Sequence, residues 1–427
     1  MKTVQQIMQE TNAQANIQNF RYMQQHYTYD QKVRHAENVA ASFEEQCRER
    51  GLNCHVSVGG LDSITLHYFL EECGISVPCV SCSTLEQKGV QAVHKQIAAE
   101  MEARYPAGEW LGGHMALPQE EIDAITAPAL REREQALLDA CPTLPRMYYL
   151  NPLLPKTKVI EQFGWPVLSK EIAGKISLLQ NPTEKNATVR HAILTGETGE
   201  YGGWQKDSRM KLSARWLEKF GGADPEGAAK GYQAAPFKVS ERCCYYLKEK
   251  PCDDWAKAHH SAPYLGLMAS EGGRRQKSLM MHGCNYFGKS TIRSAPFAIF
   301  SRQDLLQLAL DLHVPVPAEY GEIVRDADGA LRTTGAQRTG CTMCGFGIHM
   351  EKRPHRFDRL RESNPKEWEF WMRHVCRDSD GNWYGWGRVL DYIGVEWENA
   401  PRQMTGQISM DEIEPAPAKV QLRNVKR

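Results

Sequence analysis

Two groups of closely spaced cysteines carry the most specific chemistry in this sequence. Cys243 and Cys244 adjoin in SERCCYYLKEKPCDDW, and Cys341 and Cys344 form a C-x-x-C in RTGCTMCGFG. A C-x-x-C on a glycine-bearing turn presents two thiolates to one metal. The distant partner decides which metal: adjacent cysteines suit a single zinc ion poorly, whereas a cubane offers each thiolate its own iron. Cys252, eight residues after Cys244, and Cys284 in HGCNYFGKS are reserve ligands, each able to replace one of the adjacent pair. Cys47, Cys54, Cys73, Cys79, Cys82, Cys141 and Cys376 are scattered and read as small buried hydrophobes.

A second constellation suits an anion. Ser57-Val58-Gly59-Gly60-Leu61-Asp62-Ser63 falls between a predicted strand and a predicted helix. Adjacent glycines let backbone N–H groups approach an anion, and the helix N-terminus adds partial positive charge. Ser63 offers a hydroxyl, and Asp62 is placed to cap the helix or to help hold a metal ion such as Mg. Lys170 follows the predicted strand of WPVLSK, where a cation meets an anion in the crevice of an open sheet. Arg274 and Arg275 in LGLMASEGGRRQKS suit bidentate recognition of phosphate or sulfate.

The elements that must position these groups alternate. Helical spacing runs from Tyr29 through Val33, Ala36, Ala40 and Phe43 to a stop at Gly51. A strand over 52–57, the glycine loop, a helix in ITLHYFLEECG and a strand in VPCVSCS follow. Further strands are expected in WPVLSK, over 263–268 and in FAIF, the last leading into a helix. This order predicts an α/β fold, a parallel sheet with helices on both faces. Residues 1–28 read as a polar arm and 29–320 as the α/β domain, with helical insertions at about 107–155 and 181–235. A C-terminal helical region with the C-x-x-C covers 321–400, and a disordered tail covers 401–427.

Lysine plus arginine equals aspartate plus glutamate, at 52 each, so no net field favours nucleic acid or acidic membranes, and a charged ligand must be caught locally. The first twenty residues lack the apolar core of a secretion signal, and no stretch reaches the ~18 apolar residues of a membrane span. The expectation is a cytoplasmic protein without a membrane partner.

Taken together these segments resemble the phosphoadenosine phosphosulfate reductase family of the adenine nucleotide α-hydrolase, or PP-loop, superfamily. Gly59, Gly60, Asp62 and Ser63 match its loop, while Val58 replaces a serine and Leu61 a lysine. The resemblance implies that Ser57 and this loop bind an adenylyl nucleotide (ATP, adenylyl sulfate or phosphoadenylyl sulfate). It implies the same for Thr84 and Glu86 after the second strand, for Lys170, and for Gly266, Glu271, Arg274 and Arg275. It also resembles the assimilatory adenylylsulfate reductases in its vicinal cysteines followed by C-x-x-C, with 96 residues between Cys244 and Cys341. That implies a 4Fe-4S cluster on Cys243, Cys244, Cys341 and Cys344, with zinc as the alternative, and a cavity shared by cluster and nucleotide.

The implied activity is sulfonucleotide reduction or sulfur transfer, with a redox protein as electron donor. The family's reductases attack with a cysteine on a C-terminal tail, but here no cysteine follows Cys376, which reads as lying at a helix end. Asp62 and Lys170 are the catalytic candidates. Two alternatives stand beside this reading: ATP-dependent thiolation of a nucleic acid, and a non-catalytic nucleotide-binding or redox-sensing module. The arginines and tryptophans of KRPHRFDRLRESNPKEWEFWMRH suit either nucleic-acid contact or a helix packed on the domain.

Overall fold

In a computed structural model, residues 4–104, 123–132 and 145–399 are described, leaving out the side chains of residues 4–13 and of Arg274. The 401–427 tail and most of the 107–155 insertion lie outside that range. The chain divides into two compact units, Met1–Phe346 and Gly347–Arg427. Residues 321–346, grouped above with the C-terminal region, therefore pack in the first unit.

The first unit is α/β. Its central sheet contains β1 (Asn53–Ser57), β2 (Cys79–Ser81), β3 (Met147–Tyr149), β5 (Ser261–Tyr264), β6 (Asn285–Phe287) and β7 (Ile292–Ser294) in the order 3-2-1-5-7-6. All neighbours run parallel except β6, which returns antiparallel along β7. Cys54, His55 and Val56 of β1 and all three residues of β2 are buried. Successive strand residues point to opposite faces, so both faces are covered, as a parallel sheet requires.

Helix Tyr29–Glu49 starts with a capping box between Thr28 and Gln31, and its buried stripe of Ala36, Ala40, Phe43 and Cys47 faces the core. Phe43 meets the Tyr264 ring edge-on at 5.0 Å, and the Tyr264 hydroxyl donates to Ala40 O at 2.8 Å. That bond satisfies the one polar atom on a fully buried ring.

Two predicted strands are placed differently. FAIF is a buried turn, and the strand is the preceding Ile292–Ser294. An apolar run alone does not separate a buried strand from another buried segment. WPVLSK does yield a strand, β4 (Val167–Leu168), but it pairs with β10 (Gly345–Phe346) in a separate two-stranded sheet. A further hairpin joins β8 (Ile323–Arg325) to β9 (Leu331–Thr333).

The second unit packs helices Arg356–Ser363, Pro365–Arg373 and Trp386–Ile393 with a short hairpin of β11 (Cys376–Arg377) and β12 (Trp383–Tyr384). Cys376 lies in a strand, not at a helix end, and is 7 % exposed. The unit's arginines stack on its own rings: Arg361 over Trp368 at 4.6 Å, Arg377 over Trp383 at 4.2 Å and Arg388 over Tyr384 at 4.3 Å. No described helix is long and apolar enough to cross a membrane.

Candidate functional site

β2 lies on one side of β1 and β5 on the other, so the chain reverses direction across the sheet at β1. Ligands of open α/β sheets bind outside the carboxyl ends of the strands at such a switch point. Here a cavity of about 1070 Å³ opens there, lined by Ser57, Val58, Gly59, Gly60, Asp62 and Ser63 from the β1 loop and by Leu265, Gly266 and Leu267 beyond β5. It is roomy enough for a nucleotide.

The glycine loop is tied from several sides. Gly59 N–H donates to Ser63 Oγ at 2.8 Å, and Ser63 Oγ donates back to Gly60 O at 3.0 Å. Gly60, not Asp62, is the N-cap of helix Leu61–Glu72. Asp62 instead ion-pairs with Arg302 at 2.5 Å. A Cβ on Gly60 would fall 2.6 Å from Tyr320 Oη and 2.7 Å from Thr339 Oγ1. Tyr320 Oη also accepts from Leu61 N–H at 3.2 Å, so glycine is what lets this buried tyrosine brace the loop. His94 braces it from below, with Nε2 2.8 Å from Gly59 O and Nδ1 3.0 Å from Ser83 Oγ. Burial holds His94 below the usual histidine range, so the ring is neutral, Nε2–H donating to the carbonyl and Nδ1 accepting from the hydroxyl.

Across the cleft, a Cβ on Gly266 would lie 2.8 Å from Asp62 O, so that glycine allows close approach of the β5 end to the helix start. Glu271 ion-pairs with Arg275 at 2.6 Å and also with Arg338, and all three line the cavity. Arg274 lies in the same helix, Gly273–His282, and its side chain is outside the described residues. Glu86, 4 % exposed, lines the cavity from beyond β2. Thr84, expected there as well, is exposed and is not part of the lining.

The cysteines of the two long-range motifs come together. The Cys341–Cys344 turn is held by Thr342 N–H donating to Leu85 O at 2.9 Å and by the Lys156 ammonium on Thr342 O. Cys243 packs with Val159 and Leu247. It lies in electrostatic reach of Cys244, Cys341 and Cys344, and Cys244 in reach of both later thiols. Burial pushes the Cys243 thiol up to about 12 and also raises Cys244 and Cys341. Lys156, Lys170 and Lys248 oppose this, so the thiols sit in a cationic surround. No three described His, Cys, Asp or Glu side chains close in on one point tightly enough to hold a single metal ion.

The reserve cysteines lie elsewhere. Cys252 lies beside Cys82. Cys284, just before the edge strand β6, has its Sγ 3.7 Å from His35 Nε2. Lys170 is likewise displaced from its expected place. Because β4 is not in the central sheet, this lysine meets Glu249 at 2.8 Å and the Cys244 thiol instead of the crevice.

The cleft and the four thiols do not share one cavity, since none of the four lines it. They share a wall. Lys248 lines the cleft with 31 % of its side chain exposed, ion-pairs with Glu86 and hydrogen-bonds Cys341. Burial opposes its charge, but Cys341 and Glu86 outweigh that and hold the ammonium above the usual lysine range. Lys248 sits in a π-helical turn, Tyr245–Glu249, which directly follows the vicinal cysteines.

Sequence reasoning missed Lys248, His94, Arg302, Tyr320 and Arg338 as members of this site. Lys248 and Arg338 left a trace, standing four residues after Cys244 and three before Cys341. Comparison with known proteins adds no assignment: no family model matches the chain, and no curated protein and no solved structure matches it.

Proposed function

We propose that this chain reduces a sulfate-bearing adenylyl nucleotide, adenylyl sulfate or its phosphorylated form, bound in the cleft beside a 4Fe-4S cluster. The sheet is then the adenine-nucleotide α-hydrolase plan, with helices on both faces. The observation that carries the reading is Lys248: one ammonium lines the cleft and bonds a member of the thiol group. A lysine so placed couples an anionic ligand on one side to an anionic cluster on the other.

Cys243, Cys244, Cys341 and Cys344 would hold the cluster. Their chemistry fits it: four buried or half-buried thiols drawn from two segments, with three lysines near enough to offset thiolate charge. A cubane takes each thiolate to a separate iron and so needs no convergence on a single point. When bound, such a cluster supplies fixed negative charge and a route for electrons.

The protein's own groups do the remaining work. The partial positive charge at the start of helix Leu61–Glu72 favours the phosphate, while its Leu61 and Ser63 N–H groups are engaged by Tyr320 Oη and Gly60 O. Arg275 and Arg338, presented by Glu271, meet the anionic end of the nucleotide, and Lys248 stabilises negative charge as the sulfur–oxygen bond lengthens. The missing loop lysine, replaced by Leu61, removes a group useful for cleaving ATP and favours a substrate already activated.

Anaerobic purification with iron and sulfide analysis, followed by incubation with adenylyl sulfate, phosphoadenylyl sulfate or ATP, tests the reading. Sulfite release from either sulfonucleotide is expected. Release of pyrophosphate or AMP from ATP, stimulated by RNA or DNA, would replace reduction with thiolation. Nucleotide affinity without turnover would leave a binding module.

A further inference from the structure

Among the described residues Cys82 and Cys252 are the two cysteines that line the cleft. Cys82 directly follows β2, and Cys252 stands in the first turn of helix Lys250–Ala258. Their thiols lie close enough to perturb one another, from segments 170 residues apart in sequence. Both are free, and the ammonium of Lys248 acts on both. A second close pair, Cys47 and Cys54, is buried between helix Tyr29–Glu49 and β1 and lines no part of the cavity. Proximity alone therefore does not mark out Cys82 and Cys252; proximity at the wall of a nucleotide-sized cleft does.

We propose that Cys252 and Cys82 form a redox-active dithiol that attacks the sulfonucleotide from within the cleft and closes to a disulfide as sulfite leaves. This rests on the reductase reading and deepens it, because it gives the chain a nucleophile where no tail cysteine exists.

The chemistry balances. The Cys252 thiolate attacks the sulfate sulfur; a sulfur–sulfur bond forms, the bond from sulfur to the phosphate oxygen breaks, and its electron pair leaves with the nucleoside phosphate. Cys82 then loses its proton to water, and its thiolate attacks Cys252 Sγ. The disulfide bond forms, the bond from Cys252 to the sulfonate breaks, and its pair leaves on sulfite. Two thiols are oxidised by two electrons and sulfur falls from the sulfate to the sulfite level. An external dithiol, a small protein or dithiothreitol, returns the electrons by exchange.

The division of labour follows from the surroundings. Interaction with the Cys82 thiol holds Cys252 below the usual thiol range despite its burial, which favours the attacking form. Cys82 is 4 % exposed, so solvent thiols reach it poorly, while Cys252 is half-buried at the cleft.

The test uses the reduced full-length protein with its cluster, freed of external thiol and mixed with each sulfonucleotide in turn. One sulfite per chain is expected, with Cys82 and Cys252 joined in the peptide map and Cys47 and Cys54 still alkylatable. Cys82→Ser should stop at a sulfonate adduct on the Cys252 peptide. Cys252→Ser should lose at least about 100-fold in sulfite release while keeping its iron and its nucleotide affinity. The dithiol is overturned, with the reductase reading intact, if Cys252→Ser releases sulfite within a few-fold of the parent or the turnover disulfide joins other cysteines. No sulfite from the parent protein, even with dithiothreitol, overturns the reductase reading and the dithiol together.

Discussion

The two sides of the Lys248–Glu86 ion pair are built on different principles. On the cleft side, neighbouring strands of one sheet end together, and the loops after β1 and β5 meet because their strands are paired along Asn53–Val56. On the thiol side a two-residue ladder, β10 on β4 directly after Cys344, does only part of this. The vicinal cysteines lead into a π-helical turn, and the later pair rides a loop pinned to Leu85 and Lys156. The central sheet fixes its cleft through many ladder hydrogen bonds, whereas the thiol side is held by one short ladder and a few loop contacts and gains order from whatever its thiols bind. The first should exist without a ligand; the second should be completed by one.

The largest effect should come from the thiol side. Replacing Cys341 or Cys244 with alanine is expected to remove essentially all bound iron and sulfide, and with them sulfite release. Nucleotide affinity, measured by calorimetry, should change by less than about threefold, since the cleft is lined by none of these thiols. Cys284→Ser should leave iron content unchanged, because that sulfur faces His35. Equal loss of nucleotide affinity and iron in the Cys341 variant would erase the distinction between the two sides.

Next in size is the wall itself. Lys248→Met should lower turnover about 100-fold. It should also destabilise the fold by about 2–3 kcal/mol, short of the full cost of breaking a buried pair because one side of the lysine faces the cleft. Adding Glu86→Gln relieves the stranded carboxylate and should restore most of the stability but none of the turnover. Denaturant melts and sulfite assays on the single and double variants separate the two roles.

How far this plan was legible in the sequence follows the same division. The glycine loop and its flanking strand and helix were readable because each signal lies within a dozen residues. The thiol group was readable only as two motifs, by resemblance. Local pattern failed where pairing depends on distant segments. Val167–Leu168 looks like any short parallel strand, and nothing nearby reveals that its partner is Gly345–Phe346. That one mispairing carried Lys170 to the wrong side of the wall. Lys248, His94 and Tyr320 escaped notice because a lysine in a charged run, a histidine in a helix and a tyrosine in a loop gain meaning only from what folding brings against them.

The cleft side can be probed by a single methyl group. Gly60→Ala would place a Cβ against the hydroxyls of Tyr320 and Thr339, and Tyr320 is buried and cannot swing aside cheaply. A loss of about 10- to 30-fold in nucleotide affinity is expected, at a cost of about 1–3 kcal/mol. Gly60→Ala with Tyr320→Phe, which removes the obstructing oxygen, should recover part of it. Iron content should not follow, and a parallel loss of iron would show that the loop and the thiol group fold as one piece.

The smallest effect separates sheet from loops by acid. Burial holds His55, in β1, at about 3 and His67, in helix Leu61–Glu72, at about 4 in the folded protein. In the unfolded chain each returns to about 6.5, so the unfolded state binds more protons as the pH drops. Their contribution is fully present well above pH 6.5 and is lost progressively as the pH falls towards the folded values. Between pH 7 and 6 each histidine should remove about 0.7 kcal/mol of stability. Urea melts at the two pH values should show the parent losing about 0.7 kcal/mol more than a His67→Gln variant. His67 bonds Cys79 of β2 at 3.3 Å, well within the sheet layer, so iron retention over the same range should be the same in parent and variant. Iron loss that tracks His67 would mean that the sheet, and not the loops alone, holds the thiol side together.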